Sequence, residues 1–401
     1  MMKTWIGIVI TFLCVSHDCL AQPPKSGWYT NWNSALAEAE RTQKPLLVVI
    51  RCEQCAEFGK LDAEINRLKA PLDVVANDFI LVRLTRIENI DLNLFDFDYD
   101  LTWVGLLMNA QQQIYARYGS RSPEDATSNS SVAGLANTMK TVKTWHDQQK
   151  KQPPGASKKA FTIRDFQSAT KLGRGCLHCH QIAECARKDR QEAGTWQRSD
   201  AWIYPPEETV GLTTSIDEGN LIKAVAPKSA AAQAGLQVGD RLTTLGTTAI
   251  ASSSDIQFAL NKMPFAGGKL PATIKRAGKE IEVSLMLPEG WKKTDQTWRP
   301  SMLNLLPNLH ATGTELSADD RKLLKIPSEV AAFRQDKFVH STLRSAGILK
   351  DDIYLGINGK TVAGTKEDFL KAVRSQFLVG EKITLTIIRD GEEQNLEITL
   401  K

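Results

Sequence analysis

The sequence predicts a multidomain protein of mixed α/β and α+β class, and three observations support that prediction. An apolar run, Leu46–Ile50, leads into Cys52-Glu53-Gln54-Cys55 and then into a helical pattern. A second cysteine motif, Cys176-Leu177-His178-Cys179-His180, follows a polar linker. From Val210 onward, short strand signals alternate with glycine turns, and this pattern occurs twice. A chain of 401 residues is also too long for one hydrophobic core.

The first residues have the composition of a secretory signal. Lys3 precedes an apolar run from Trp5 to Val15, and small residues follow near Ala21. That run is too short to span a bilayer as a mature helix. We therefore expect residues 1–21 to be a removed signal peptide and the protein to be exported, to the periplasm or another extracytoplasmic space. No later segment predicts a stable membrane span, so we expect a soluble mature protein.

Charge and cysteine content narrow the class of protein further. The formal net charge is +4 and the basic clusters are short, so the sequence gives no support for nucleic acid binding. Without the signal, five cysteines remain, at positions 52, 55, 176, 179 and 185. An odd number in an oxidising compartment means that at least one is free, ligated or cross-linked, which is not the pattern of a disulfide-stapled scaffold.

Residues 28–148 resemble a thioredoxin-like domain. The order of a buried strand, Cys-x-x-Cys and a helix is followed by further strand and helix patterns in the order of that family. These patterns cover Phe79–Leu84, Trp103–Met108, Ile114–Tyr118 and Val132–His146.

The resemblance implies a thiol–disulfide oxidoreductase with Cys52 and Cys55 as the catalytic pair. Cys52 at a helix N-terminus would be stabilised as a thiolate, and Cys55 would resolve a mixed disulfide. Two departures stand against this: Arg51 replaces the tryptophan common before the first cysteine, and Thr102-Trp103 stands where the family has a cis-proline. A structural disulfide or an inert dithiol therefore stays open as the alternative.

The acidic run Asp96–Asp100 looks like the start of a calcium loop. Leu101 stands at the sixth position where such a loop needs glycine, and Leu107 at the twelfth where it needs glutamate. We expect a solvated insertion there.

A polar linker at 149–160 separates the first domain from residues 161–204, which predict a short helical segment too small for a core of its own. Its Cys-x-x-Cys-His motif predicts haem c, bound through Cys176 and Cys179 with His180 as the iron ligand. A zinc site made of Cys176, Cys179, Cys185 and either His178 or His180 is a second interpretation. A disulfide or a free dithiol is the third.

The C-terminal half resembles a pair of PDZ domains of the type found in HtrA proteases. Ala226–Asp240 has the small-residue helix, glycine turn and Gly-Asp strand start of that type. Ala346-Gly347-Ile348 repeats Ala234-Gly235-Leu236 at an offset of 112 residues. We assign the two copies to residues 205–290 and 300–401.

In the first copy, the resemblance implies a peptide-binding site that adds an extended partner as a strand. Val210, Gly211, Leu212 and Thr213 would form the loop that receives a terminal carboxylate. Ile256, Phe258 and Leu260 would line the side-chain pocket. In the second copy we place the corresponding loop at Leu324–Pro327, which lacks the glycine.

No Gly-x-Ser-Gly nucleophile turn or Ser-His-Asp set accompanies these repeats, so the sequence does not predict a protease. The function it favours is an extracytoplasmic redox-linked protein whose PDZ region binds a protein or peptide partner. The alternative is a non-enzymatic adaptor in which the thioredoxin-like fold is inactive.

Overall fold

The computed structural model describes residues 27–52, 57–122, 125–148, 159–173 and 177–401. The predicted signal peptide, Cys55, Cys176 and most of the 149–160 linker lie outside the described residues. Within the described ranges, no helix combines the length and the apolar character needed to cross a bilayer.

The first domain is built on a five-stranded sheet with the order β1-β3-β2-β4-β5. Strand β2 runs parallel to β3 and antiparallel to β4, and β4 and β5 form an antiparallel pair. The predicted thioredoxin-like fold is thereby confirmed. The elements are β1 (Trp28–Tyr29), α1 (Trp32–Thr42), β2 (Leu46–Arg51), α2 (Gly59–Asn66), α3 (Leu72–Val75), β3 (Ile80–Leu84), β4 (Trp103–Met108), β5 (Ile114–Tyr118) and α4 (Val132–Gln148).

Strand β2 is apolar along its whole length because both faces of the sheet are covered. Alternate side chains of a strand point to opposite faces. Leu46 and Val48 accordingly pack in one core cluster and Leu47 and Val49 in another. This burial of β2 places Cys52, the next residue, at the end of the central strand.

The short segment at 161–204 shares a core with the thioredoxin-like sheet. Its helix α5 spans His180–Glu192, and Ile182 and Cys185 on this helix join the same apolar cluster as Val48 and Ile50 of β2. Ile163 and Leu177 belong to this cluster as well. The segment is therefore one layer of the thioredoxin-like domain, which explains how so short a piece of chain is stabilised.

The first PDZ copy contains a four-stranded sheet, β11-β10-β8-β9, and a two-stranded sheet, β6-β7. Ile256 and Leu260 of its long helix pack into the core between them with Leu212 and Leu242. The elements are β6 (Leu212–Thr214), β7 (Ile222–Val225), α6 (Ala230–Gln233), β8 (Arg241–Leu245), β9 (Thr248–Ala249), α7 (Ser253–Lys262), β10 (Gly268–Arg276) and β11 (Lys279–Leu287).

The second PDZ copy repeats this plan in one sheet of six strands, β12-β13-β14-β16-β17 with β15 beside β14. Its elements are β12 (Gly313–Glu315), α8 (Ala318–Leu323), β13 (Phe333–Gln335), α9 (Ser341–Ser345), β14 (Ile353–Ile357), β15 (Lys360–Thr361), α10 (Lys366–Gln376), β16 (Lys382–Arg389) and β17 (Glu392–Thr399).

The placement of the carboxylate loop of this second copy at Leu324–Pro327 is wrong. Strand β12 pairs with β13 as β6 pairs with β7, so β12 and the residues before it are the counterpart of the first copy's loop. Leu324–Pro327 follow α8, in an insertion between β12 and β13 that Gly313 precedes. A constant offset between the two copies places the loop too late in the sequence, because it does not allow for this insertion.

The acidic run at Asp96–Asp100 is not a solvated insertion. Asp98 and Asp100 are buried, and both accept hydrogen bonds from Arg299, whose side chain is 1% exposed. Ser301 adds its backbone N–H and its hydroxyl to Asp100, at 2.9 and 2.8 Å. Two buried carboxylates need such a partner, and the connector between the PDZ copies supplies it from about 200 residues away.

The first PDZ copy is docked on the edge strand of the thioredoxin-like sheet. Asp255, which is 0% exposed, accepts the backbone N–H of Arg117 on β5 at 2.8 Å. The hydroxyl of Ser252 donates to the carbonyl oxygen of Arg117. The guanidinium of Arg117 lies 3.3 Å from the ring centroid of Phe258 on α7. The open edge of β5 is thus capped by the start of α7, as exposed sheet edges generally must be.

We expect Asp255→Ala to lower the free energy of unfolding by about 2 kcal/mol or more, because three buried backbone N–H groups lose their acceptor. Asp368→Ala is the matched control: Asp368 holds the same capping position on α10, but it is exposed and its capping bonds stay within its own helix start. Urea unfolding measures both. An equal loss in the two variants would contradict the docking role of Asp255.

Arg299→Ala should cost about 3–5 kcal/mol, since it leaves Asp98 and Asp100 buried without their cation. Arg198→Ala, which breaks a partly exposed ion pair with Glu381, should cost less. The comparison is made by chemical denaturation of the whole chain, and a milder effect of Arg299→Ala than of Arg198→Ala would refute the network.

Candidate functional site

The structure brings the two cysteine motifs together. The Sγ atom of Cys52 lies 3.2 Å from Nδ1 of His178, although the two residues are 126 positions apart. Cys52 is buried, at 6% exposure, and its backbone N–H donates to the carbonyl oxygen of Thr102 at 3.1 Å. A thiol and an imidazole at this distance can share a proton, which is the arrangement that activates cysteine nucleophiles.

His178 is held in place by the start of α5. Its backbone N–H donates to Oε1 of Gln181 at 2.8 Å, and its carbonyl oxygen accepts from the backbone N–H of Gln181 at 3.1 Å. Its ring stacks on the ring of His180, with centroids 5.5 Å apart. Since α5 packs in the core of the thioredoxin-like domain, the position of His178 against Cys52 is fixed by buried contacts rather than by a surface loop.

A buried ionic cluster lies behind Cys52. Asp62 accepts a hydrogen bond from Trp103 Nε1 at 2.8 Å and forms ion pairs with Arg51 and Arg83. Arg51, which stands where the family commonly has tryptophan, is therefore directed at Asp62. The indole that this chain carries in the site region comes instead from Trp103 on β4.

A pocket of about 330 Å³ opens beside the Cys52–His178 pair. Thr102, in the position where the family has its cis-proline, is part of the wall. The lining residues come from both cysteine motifs, from the loop before β4 and from the connector: Cys52, Glu57, Tyr99, Asp100, Leu101, Thr102, His178, Cys179, His180 and Pro300. The volume is at the lower end for a small-molecule site. Through this pocket the Cys52–His178 pair is accessible from outside.

His180 has the surroundings of a metal-ligating histidine. Its Nδ1 lies 2.8 Å from Oε1 of Glu184, one turn along α5. Burial would raise the pKa of Glu184, but the hydrogen bond and charge of His180 outweigh burial and lower it. A carboxylate on one ring nitrogen orients the imidazole and leaves Nε2 for a metal. Cys179, at the N-terminal boundary of the same helix, lines the same pocket, so the described residues fit the iron-ligand side of the predicted haem site.

The zinc interpretation gains no support from the residues that the structure describes. Among them, no three His, Cys, Asp or Glu side chains are grouped as metal ligands. Cys185 is buried in the domain core, where burial raises the pKa of its thiol. A raised pKa disfavours the thiolate that zinc requires.

The residues predicted for peptide binding lie mostly in the interior of the first PDZ copy. Val210, Leu212, Ile256 and Leu260 belong to its hydrophobic core. Phe258 is buried between α7 and the thioredoxin-like domain, beneath Arg117.

The remaining two loop residues differ from each other. Gly211 has a φ of +83°, and a Cβ at this position would lie 2.1 Å from Cβ of Ser229, so only glycine fits there. Thr213 is exposed on β6. The edge of β6 is therefore formed, while the residues predicted to line the pocket pack in the interior in this state.

Sequence reasoning missed three contributors to these sites: His178 as the neighbour of Cys52, and Glu207 and Asp255 as buried carboxylates. The one local signal was at Asp255, because Ser252 and Asp255 have the spacing of a capping box, which the structure contains. His178 carries no such signal, since its contact with Cys52 depends on the packing of α5.

Two known family profiles match parts of the chain. A Thioredoxin-like family profile matches residues 27–110, and a PDZ domain profile matches residues 221–262. The chain therefore contains a thioredoxin-like domain and a PDZ domain.

Among curated proteins, the similarity is to HtrA-type proteases and is partial. The chain is 32% identical to periplasmic serine endoprotease DegP of Escherichia coli K12 over 89 residues, which are 22% of this chain and 18% of the protease. It is 28% identical over 188 residues to a probable DegP-like periplasmic serine endoprotease of Marinomonas, covering 46% of this chain and 37% of that protein. The chain thus spans well under half the length of these relatives.

The solved structures that match this chain do so at low overall similarity. The serine endoprotease of Yersinia pestis has 24% identity and a TM-score of 0.20, over 26% of this chain and 35% of that one. The HtrA-type protease AlgW with tripeptide has 13% identity and a TM-score of 0.23, over 45% and 58%. At these TM-scores the likeness carries no functional argument.

Proposed function

We propose that the protein is an extracytoplasmic thiol–disulfide redox protein whose PDZ region binds a protein or peptide partner. The contact between Cys52 Sγ and His178 Nδ1, at 3.2 Å and open to a pocket, is the observation that carries the redox part. The curated HtrA-type relatives, which are named as periplasmic proteases, support the location and the PDZ part.

The chemistry follows ordinary thiol–disulfide exchange. His178 accepts the proton of the Cys52 thiol, and the thiolate attacks one sulfur of a partner disulfide. A bond forms between Cys52 and that sulfur, and the other partner sulfur leaves as a thiolate, which takes the proton from His178. Cys55, the second cysteine of the motif, then loses its proton and attacks the Cys52 sulfur. The bond between Cys52 and the partner breaks, and the partner sulfur leaves as a thiolate that takes up that proton. The partner is released as a dithiol with two electrons gained, and Cys52 and Cys55 are left as a disulfide.

We expect His178→Gln to slow the reaction of the reduced protein with a small aromatic disulfide by about tenfold or more at pH 7, because the base that takes the Cys52 proton is lost. Cys52→Ser should abolish the Cys52-dependent reaction. The released aromatic thiolate, followed by absorbance, measures the rate.

The control is His146→Gln, since His146 bonds Tyr115 and Gln43 on another side of the domain. His178 is not the base if two results are found together. The His178→Gln and His146→Gln variants react at the same rate, and the ratio of the rates at pH 8 and pH 6 in His178→Gln equals that of the wild type.

Two observations favour the non-enzymatic adaptor as the second candidate. Cys52 is only 6% exposed, and Thr102 replaces the proline that shapes the partner groove in the family. The same kinetics separate the two functions. If Cys52→Ser does not change the reaction rate of the fully reduced protein, the oxidoreductase function is rejected and the adaptor function remains.

For the Cys-x-x-Cys-His motif we propose covalent haem, with Cys176 and Cys179 as attachment points and His180 as the iron ligand oriented by Glu184. Haem bound there would supply a one-electron carrier or a site for a small ligand. The residues themselves would hold His180 in one orientation and keep His178 against Cys52.

Full-length protein made in a host that matures c-type cytochromes should show a Soret band that persists after denaturation, because the thioethers are covalent. Cys179→Ser should reduce this band and Cys185→Ser should not, since Cys185 lies in the core. A processed protein without a Soret band rejects the haem proposal, whatever its thiol activity.

A further inference from the structure

In the first PDZ copy, the strand edge that a peptide would join is already hydrogen-bonded to a side chain of the same domain. On one side β6 bonds β7: Gly211 O accepts from Ala226 N and Ser215 N donates to Leu221 O, both at 2.9 Å. Backbone groups of successive residues in a strand alternate between its two edges. Thr214, which precedes Ser215, therefore directs its N–H to the opposite edge, where strand addition takes place.

Glu207 occupies that edge. The Thr214 backbone N–H donates to Oε1 of Glu207 at 2.5 Å, and the Thr214 hydroxyl lies 3.1 Å from Oε2. Glu207 is buried, at 6% exposure. Burial raises its pKa to about 7, against the lowering effect of the two bonds from Thr214. The carboxylate thus stands where a carbonyl oxygen of an added strand would accept the same N–H.

The loop beside the edge is also internally satisfied. Residues Glu207–Val210 form a 3₁₀ turn, and the Gly211 N–H donates to the carbonyl oxygen of Glu208 at 3.0 Å. Gly211 is the amide expected to face a terminal carboxylate. The Thr214 and Gly211 amides therefore both have acceptors within the domain, which opposes entry of a peptide in this state.

We propose that Glu207 is a built-in competitor for the peptide-binding edge of the first PDZ copy, and that an extended peptide binds only by displacing its carboxylate from Thr214. The inference rests on the proposed binding of a peptide by the PDZ region. It adds a specificity-determining residue to that function. A partner strand binds only if its own contacts with the edge are more favourable than the bonds between Glu207 and Thr214.

The first test is of the closed edge itself, with no peptide. In the full-length protein, the Thr214 amide should exchange hydrogen slowly, and Glu207→Ala should make it exchange at least about tenfold faster because its acceptor is gone. Glu208→Ala is the matched control from the same turn. Unchanged protection of Thr214 in Glu207→Ala would overturn the proposal.

The second test uses a fluorescent pool of decapeptides randomised at the last four positions. Glu207→Ala should bind the pool about tenfold more tightly than the wild type, the range of one charge-assisted hydrogen bond. Glu207→Gln, which keeps the shape and one acceptor oxygen, should fall between them, and this variant also guards against a folding defect.

The outcomes separate the two ideas. Equal affinity of wild type and Glu207→Ala for the pool refutes the competitor and leaves peptide binding intact. Absence of binding by both proteins, with the Thr214 amide exposed in Glu207→Ala, rejects peptide capture at this edge and the competitor role with it. The redox reaction of Cys52 is untouched by either result.

Discussion

The buried pairing of Arg299 with Asp98 and Asp100 is the constraint on which the arrangement of this chain depends. A single cation joins the loop before β4 to the connector that leaves the first PDZ copy. The next residues of the connector extend the link: Ser301 bonds Asp100, and its carbonyl oxygen accepts from Arg187 on α5. Pulling these charges apart would leave Asp98 and Asp100 buried without a cation, which is strongly unfavourable. These elements are therefore held at one relative position.

That position determines the candidate site. Asp100 and Pro300 both line the pocket beside Cys52, and His178 lies two residues before α5. The thiol belongs to the end of the central strand, while its imidazole partner belongs to a segment that has no core of its own. Because α5 buries Ile182 against the sheet, the thiol–imidazole contact needs no domain motion to form. The described part of the second cysteine motif therefore belongs structurally to the thioredoxin-like domain.

The sequence predicts the local elements well and the long-range contacts poorly. Apolar runs and alternation determine β4 and β5, whose predicted bounds match the structure, and the small-residue repeat identifies both PDZ copies. Periodicity reports only what one element buries. It does not indicate which distant residue neutralises a buried charge. The sequence therefore predicts a solvated Asp98, whereas the structure buries Asp98 in an ion pair with Arg299. The insertion after β12 shifted the register of the second loop for a related reason, since a fixed repeat length assumes no insertion.

The two PDZ copies differ in how they are attached, and this bears on partner binding. Asp255 of the first copy is buried against β5, while its counterpart Asp368 in the second copy caps only its own helix. Beyond β6, Asp217 accepts hydrogen bonds from Ser131, the residue before α4, and from Asn137 of α4. The copy whose strand edge is closed by a carboxylate is thus also the copy fixed to the thioredoxin-like domain at two places. Displacement of that carboxylate must therefore occur within a docked domain. A partner strand bound there would lie at a set distance from Cys52, which is the geometry that a tethered disulfide substrate requires.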